Sequence, residues 1–239
     1  MSTFSKISKL LRNPAGVIKS RVQSLKELLR FRKGSDYDAA DYWKYRHEKF
    51  GFDLRGVGDK TKSHEENVRL LEQGAEVFLE VCRTAGVQFN NSRVLDIGCG
   101  TGHFAEILKR AGVSNYCGID IADTLFEGLR AQLPGYRFEQ VDVSTQQLSG
   151  IFDLIIAMDV LQHITDDFKF SYAIENIKAH LSVEGVVVIS INLGENERPS
   201  FYMVKRPLRT FQKLFPDFSV SEPKPYAESH VFSLKKVKS

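Results

Sequence analysis

The sequence predicts an α/β fold built on a doubly wound, mostly parallel sheet, and three observations lead there. From residue 93 onward, short apolar runs alternate with stretches of helical period, the pattern of strands covered by helices on both faces. The runs Val94-Leu95, Leu154-Ile155-Ile156-Ala157 and Val186-Val187-Val188-Ile189 are continuously apolar, as strands buried on both faces should be. The first of them leads into Gly98, Gly100 and Gly102, a strand-to-helix turn of the kind at which open α/β sheets hold ligands.

Residues 5–33, at the start of the chain, read as amphipathic helix, with Ile7, Leu10 and Leu11 on a short apolar face and Pro14-Ala15-Gly16 interrupting it. Ile18, Val22, Leu25 and Leu29 then recur at steps of four, three and four, which places them on one helix face. Gly34-Ser35-Asp36 reads as a hinge, and residues 41–58 as an aromatic, loop-rich segment carrying Tyr42, Trp43, Tyr45, Phe50 and Phe52. Ser63 and Glu66 fit a capping box, and Val68, Leu71, Ala75, Phe78 and Cys82 continue at helical spacing to about residue 86. Seven strands are expected, at 93–97, 115–120, 137–141, 152–158, 185–192, 217–221 and 229–236. Helices are expected at 102–112, 123–132, 166–181 and 207–214. Phe215-Pro216 and Glu222-Pro223-Lys224-Pro225 mark turns. Residues 1–35 thus form a basic helical arm, 36–62 an aromatic lid or linker, and 63–239 the α/β domain.

Charge separates the arm from the rest. The 239 residues carry a net +3, but residues 1–34 hold nine Lys and Arg against the single acid Glu27, leaving −5 on the other 205. A basic amphipathic arm suits three partners: an anionic membrane surface, RNA phosphates, or the acidic body of the chain itself or of another protein. Few aromatics lie among its charges and no RNA-binding motif is present, so nucleic acid is disfavoured. Cys82, Cys99 and Cys117 form no close pair, which argues against a zinc site or disulfide framework and for a reducing cytoplasm. No uninterrupted apolar run resembles a secretory signal. Oligomeric state cannot be read from these features.

The glycine turn carries the most chemistry. It reads Asp96-Ile97-Gly98-Cys99-Gly100-Thr101-Gly102-His103. A dinucleotide site wants its third glycine at 103, where His103 stands. Asp96 repels a pyrophosphate but attracts an ammonium group, so the turn suits a cationic amino-acid ligand better than a diphosphate. Three glycines and an acid on one turn serve no packing need of their own.

Val94–Gly102 resembles the first motif of the class I S-adenosylmethionine-dependent methyltransferases, which have a Rossmann-like domain. The resemblance covers roughly residues 64–192 and implies S-adenosylmethionine as the cofactor. It implies that Asp96 helps hold the cofactor's amino end, and that Gly98, Cys99 and Gly100 line its methionine and ribose portions. Tyr116-Cys117-Gly118-Ile119-Asp120-Ile121 is similar to the second motif, in which Asp120 accepts the ribose hydroxyls with Ile121 beside it. Phe138–Val143 is similar to the third and puts Asp142 and the Val143 backbone near the adenine. Phe152–His163 is similar to the fourth, with the backbone at Met158 and Asp159 flooring the pocket. Tyr42-Trp43-Lys44-Tyr45-Arg46-His47 resembles the Tyr-Trp-x-x-Arg lid stretch of small-molecule methyltransferases, in which Arg46 binds the cofactor's carboxylate or an acidic acceptor; the other reading is an aromatic staple onto the sheet edge.

The same resemblance bears on the acceptor. Amine methylators of nucleic acid and many of protein carry an Asn/Asp-Pro-Pro-aromatic sequence where this chain has Met158-Asp159-Val160-Leu161, and no Pro-Cys pair for pyrimidine carbon methylation occurs. A hydroxyl on a sugar, glycan or other small metabolite is therefore expected. His163, just past the strand end, is the candidate base or a pocket-structuring residue. His103 reads as a helix-start residue. Asp159, Asp166 and Asp167 are the only obvious acidic set, and the last two suit a helix start, so no metal is expected. Other readings are RNA or protein methylation guided by the arm, a non-catalytic cofactor-binding scaffold, and nicotinamide chemistry, which His103 disfavours. A cytoplasmic enzyme with peripheral membrane contact through residues 1–34 is the expected setting.

Overall fold

The computed structural model describes residues 14–237, with side chains from residue 22 onward. The arm before residue 14 lies outside the described residues. Helix α1 (Pro14–Phe31) starts at the proline that interrupts the arm's pattern, a position where the missing N–H costs nothing. The expected hinge is a tight hairpin: strands β1 (Arg32–Lys33) and β2 (Asp36–Tyr37) pair across Gly34, whose φ is 61°. The segment read as loop-rich contains a regular helix, α2 (Ala39–Phe50), capped by the Asp38 carboxylate accepting from the Asp41 N–H. Helix α3 (His64–Thr84) opens with the predicted capping box. The Glu66 N–H donates to Ser63 Oγ at 3.1 Å, and the Ser63 N–H donates to Glu66 Oε2 at 2.7 Å.

The α/β alternation begins beyond α3 and runs β3 (Arg93–Ile97), α4 (His103–Arg110), β4 (Asn115–Asp120), α5 (Phe126–Gln132), β5 (Arg137–Gln140), β6 (Phe152–Met158), α6 (Asp167–Ala179) and β7 (Leu181–Ile191). Helix α7 (Leu208–Leu214) and strands β8 (Phe218–Val220), β9 (Lys224–Tyr226) and β10 (Ser229–Lys236) complete it. The sheet order is β5-β4-β3-β6-β7-β10-β8, with β9 also paired to β10. β5 through β7 are mutually parallel, and β10 enters antiparallel between β7 and β8. Among the described residues the sheet therefore has eight strands, one more than the seven expected. Lys224-Pro225-Tyr226, read as turn, forms the additional edge strand. Proline is tolerated there because an edge residue need not donate to the ladder.

Strand alternation divides the core into two layers. Val94, Leu154, Ile156 and Val188 face Phe78 and Cys82 of α3 and Leu108 of α4. Leu95, Ile155, Val187 and Ile189 face Phe170 and Ile174 of α6 and Phe211 of α7. Chain order reverses between β3 and β6, so a crevice opens above their carboxyl ends. A third cluster packs Phe31, Tyr37 and Tyr42 against Phe201 and Tyr202 and so ties the segment before α3 to the chain beyond β7.

The box on α3 also sets the loop before it, because Asn67 bonds back to the Asp59 and Ser63 carbonyls. Ser63→Ala removes the cap and is expected to cost about 1 kcal/mol. Urea unfolding monitored by circular dichroism measures this, and an unchanged midpoint would show that the cap contributes nothing.

Candidate active site

A cavity of about 650 Å³ occupies the crevice. Its floor is the glycine turn. The Gly98 and Cys99 N–H groups both donate to the Ile119 carbonyl, at 2.7 and 3.0 Å, which locks the turn onto the end of β4. Gly98, Gly100 and Gly102 have φ of 71°, 50° and 78°, backbone that only glycine adopts without strain. Space imposes the same choice: a Cβ at position 98 would stand 2.4 Å from Val160 Cγ2, and one at 100 would stand 2.8 Å from Val57 Cγ1.

The bent backbone aims the Gly100 N–H at Asp120 Oδ2, 3.0 Å away, while the Ala122 N–H donates to Oδ1 at 3.1 Å. Asp120 is buried, and burial pushes its carboxyl upward; His47 and the N–H donors oppose this. His47, on α2, lines the same cavity; burial depresses its pKa, and its Nδ1 has no hydrogen-bond partner.

Gly98, Cys99, Gly100, Asp120, Ile121, Asp142, Val143, Met158, Arg46 and His163 all line this one cavity. Asp96 is the exception. It lies below the turn with its Oδ2 accepting from Tyr116 Oη at 2.7 Å, and it forms no part of the cavity wall. Burial, with help from Asp120, pushes it up to about 7 against the Tyr116 hydrogen bond. Asp96 thus stands beneath the turn, bonded to Tyr116 and off the cavity wall.

Arg46 lines the wall but is already engaged. Its Nη2 donates to the Arg55 and Gly58 carbonyls at 2.6 and 2.9 Å, and its guanidinium lies 5.1 Å from the Trp43 ring centre. Its nearest task is to hold the loop that lays Val57 over Gly100. Asp142 caps the turn after β5: its Oδ1 accepts from the Ser144 N–H and Oγ at 2.9 and 2.6 Å.

His163 is clamped. Its Nδ1 lies 2.7 Å from the Tyr202 carbonyl, so that nitrogen carries the proton. Its ring centre is 4.9 Å from that of Trp43 and 5.7 Å from that of Tyr202. Tyr37 Oη donates to the His163 carbonyl at 2.9 Å. Burial among these groups depresses its pKa to about 4. The ring is neutral at pH 7, with its Nε2 lone pair unprotonated.

Sequence order suggests Asp159 only as pocket-floor backbone or a metal ligand, and the structure gives it more. It has φ of 57° at the end of β6, held by its N–H to Ser190 Oγ at 2.7 Å. Its carboxylate accepts from Ser229 Oγ at 2.6 Å and Tyr226 Oη at 3.3 Å. Left-handed backbone on a non-glycine residue costs energy and is typical of functional sites. Asp166 caps α6 and Asp167 pairs with Arg206, so the acidic set is divided among three separate tasks. His47 and the Tyr226–Ser229 wall have no assignment from the sequence. The only available signal is the four-residue step from Trp43 to His47, which puts both on one helix face.

Residues 69–216 match the family described as a methyltransferase domain. The chain belongs to this family. S-adenosylmethionine is the family's cofactor. The chain is 33% identical over 106 residues to trans-aconitate 2-methyltransferase of Rhizobium etli, covering 43% of this chain and 40% of that protein. It is 33% identical over 93 residues to the ubiquinone biosynthesis O-methyltransferase of Albidiferax ferrireducens, covering 36% and 34%. The matched stretch thus spans less than half the length of these curated relatives. In fold, the chain resembles magnesium protoporphyrin IX methyltransferase from Synechocystis PCC 6803 with bound S-adenosylhomocysteine (TM-score 0.64, 17% identity, 83% of this chain and 98% of that one). It also resembles N-methyltransferase NodS from Bradyrhizobium japonicum WM9 in complex with S-adenosylhomocysteine (TM-score 0.60, 17% identity, 71% and 88%).

The depressed His163 pKa has a consequence for stability. Between about pH 6.5 and 4 the unfolded chain binds a proton at this residue and the folded chain does not. Its contribution is fully present above pH 6.5 and is lost as pH falls toward 4, by up to about 3 kcal/mol. Urea unfolding of the wild type and His163→Gln across this range should show a steeper acid loss in the wild type; parallel curves would refute it.

Proposed function

We propose that this methyltransferase moves the methyl group of S-adenosylmethionine to a hydroxyl of a small molecule, a sugar, glycan or other small metabolite. The supporting observation is the convergence on one cavity of the glycine turn, the Asp120 carboxylate and a neutral, tautomer-fixed His163. The cofactor supplies an activated methyl on a sulfonium. The residues fit such a group: the turn leaves no room for a Cβ, and two carboxylate oxygens at Asp120 face paired ribose hydroxyls in chemical kind. Gly98, Cys99 and Gly100 would hold the amino-acid and ribose portions, Asp142 and Val143 the adenine, and Met158 the floor. Arg46 would hold the carboxylate end through donors not used by the loop, with Asp96 acting through the turn.

Methyl transfer is mainly a matter of placement. Trp43 and Val57 lie on the cavity wall and exclude water from it. A hydroxyl oxygen becomes strongly acidic as it gains a methyl group, so a weak base suffices to take its proton. His163 Nε2 fills that role: Nδ1–H is tied to Tyr202, and the depressed pKa keeps the lone pair free over the physiological range. Both curated relatives are named as methyltransferases, one explicitly an O-methyltransferase, and a fold neighbour is an amino pentose methyltransferase from Micromonospora echinaspora.

Calorimetry with S-adenosylhomocysteine tests the cofactor site. The wild type should bind, and Asp120→Ala should bind at least about tenfold more weakly, on the scale of a lost charge-assisted hydrogen bond. No binding by the wild type, or equal binding by the variant, overturns the assignment. Methyl incorporation across cell-extract fractions identifies the acceptor. On that acceptor His163→Ala should lower kcat by roughly 10²-fold, and undiminished turnover excludes the base role.

A further inference from the structure

Helix α1 meets the body with one face and leaves the other bare. Glu27 is 4% exposed, takes a hydrogen bond from Gln23 Nε2 at 3.0 Å and pairs with Lys60 of the loop beneath it. Gln23 also donates to Tyr45 Oη at 3.1 Å, and Phe31 is buried against Tyr42. These residues, four apart, define the inward face. On the opposite side, Val22, Leu25 and Leu29 are 47%, 55% and 76% exposed, and their spacing aligns them in one apolar stripe.

The charges are sorted in the same way. Lys26, Arg30, Arg32 and Lys33 are exposed. The helix's one acid is turned inward and neutralised by Lys60. Among the described side chains the outward surface of the helix is therefore an apolar stripe with Lys26 and Arg30 along one border and Ser24 and Leu28 along the other, and Lys33, just beyond the helix, is paired with Asp38. A protein groove would account for the stripe, and RNA would account for the cations. An anionic bilayer accounts for both at once, with aliphatic side chains at the acyl boundary and cations among the headgroups.

We propose that the outward face of α1 docks on an anionic lipid bilayer. No described helix is long and apolar enough to cross a membrane, so the contact is a surface one. Leu29 stands four residues before Lys33, which lines the cavity together with Asp36 and Lys60.

Vesicle co-sedimentation of the full chain tests this. Vesicles of phosphatidylcholine alone are compared with vesicles containing about 30% phosphatidylglycerol, a composition that carries roughly physiological anionic charge. The wild type should bind the anionic vesicles and bind the neutral ones far more weakly. The triple variant Val22→Gln, Leu25→Gln, Leu29→Gln keeps every charge and changes only exposed positions. It should bind the anionic vesicles roughly 10- to 100-fold more weakly. Its binding of S-adenosylhomocysteine should equal that of the wild type, which separates loss of docking from loss of fold or of the cofactor site. Failure of the wild type to bind anionic vesicles, or full binding by the triple variant, overturns the proposal. A wild-type dimer in sedimentation velocity that the triple variant abolishes would also overturn it, by assigning the stripe to a second copy of the chain.

Discussion

A buried carboxylate organises the carboxyl edge of the sheet. Asp120 sits at the end of β4, where hydration is largely lost, and a charge there is costly unless donors surround it. The Gly100 and Ala122 N–H groups provide them. The Gly100 N–H reaches Asp120 from left-handed backbone, and the Ala122 N–H reaches it across a two-residue turn. The chain must rise from β3, turn back through left-handed residues at 98 and 100, and leave through a third at 102. The left-handed Gly100 serves that bond, while the Ile119 carbonyl holds the Gly98 and Cys99 N–H groups and Val160 and Val57 exclude side chains from positions 98 and 100. Asp96 belongs to the same construction one layer down, where its bond to Tyr116 fixes β3 against β4.

The lid segment is held by a second set of bonds that converge on His163 and the loop above the turn. Trp43 Nε1 donates to Tyr37 Oη at 3.3 Å, and Tyr37 donates to the His163 carbonyl. Arg46 grips two carbonyls of the loop that carries Val57. Lys169 pairs with Asp36 at 2.6 Å, joining α6 to the same segment. The seat of the His163 backbone and the position of Trp43 and Val57 on the cavity wall thus depend on a segment outside the α/β alternation.

Much of this is legible in the sequence, for physical reasons. Strand burial on both faces writes continuous apolar runs, and β3, β4 and β6 occupy the expected ranges 93–97, 115–120 and 152–158. The capping box on α3 is local chemistry, so Ser63 and Glu66 announce it. Helix α2 is obscured because its aromatic residues serve packing against Phe201 and Tyr202, more than 150 residues away, and they dilute the helical period. Strand β9 is hidden by Pro225, whose edge position is a tertiary fact. The most remote facts are the least legible. No local pattern announces that Asp159 adopts left-handed backbone, because Ser190 and Ser229 from two other strands hold it there. The depth of Asp96 beneath the turn is equally silent, because a motif records order along the chain.

The place of β10 has a consequence for how the protein is made. It is translated after β8 yet lies between β7 and β8. While the ribosome is still producing β10, β7 has an open edge and β8 has no partner in the sheet. The wall at Tyr226–Ser229, which closes on Asp159, arrives with the same late segment. The emerging chain therefore passes through a stage with a long apolar edge exposed, a state prone to pairing with other chains. Its cavity is completed only when that last strand threads inward.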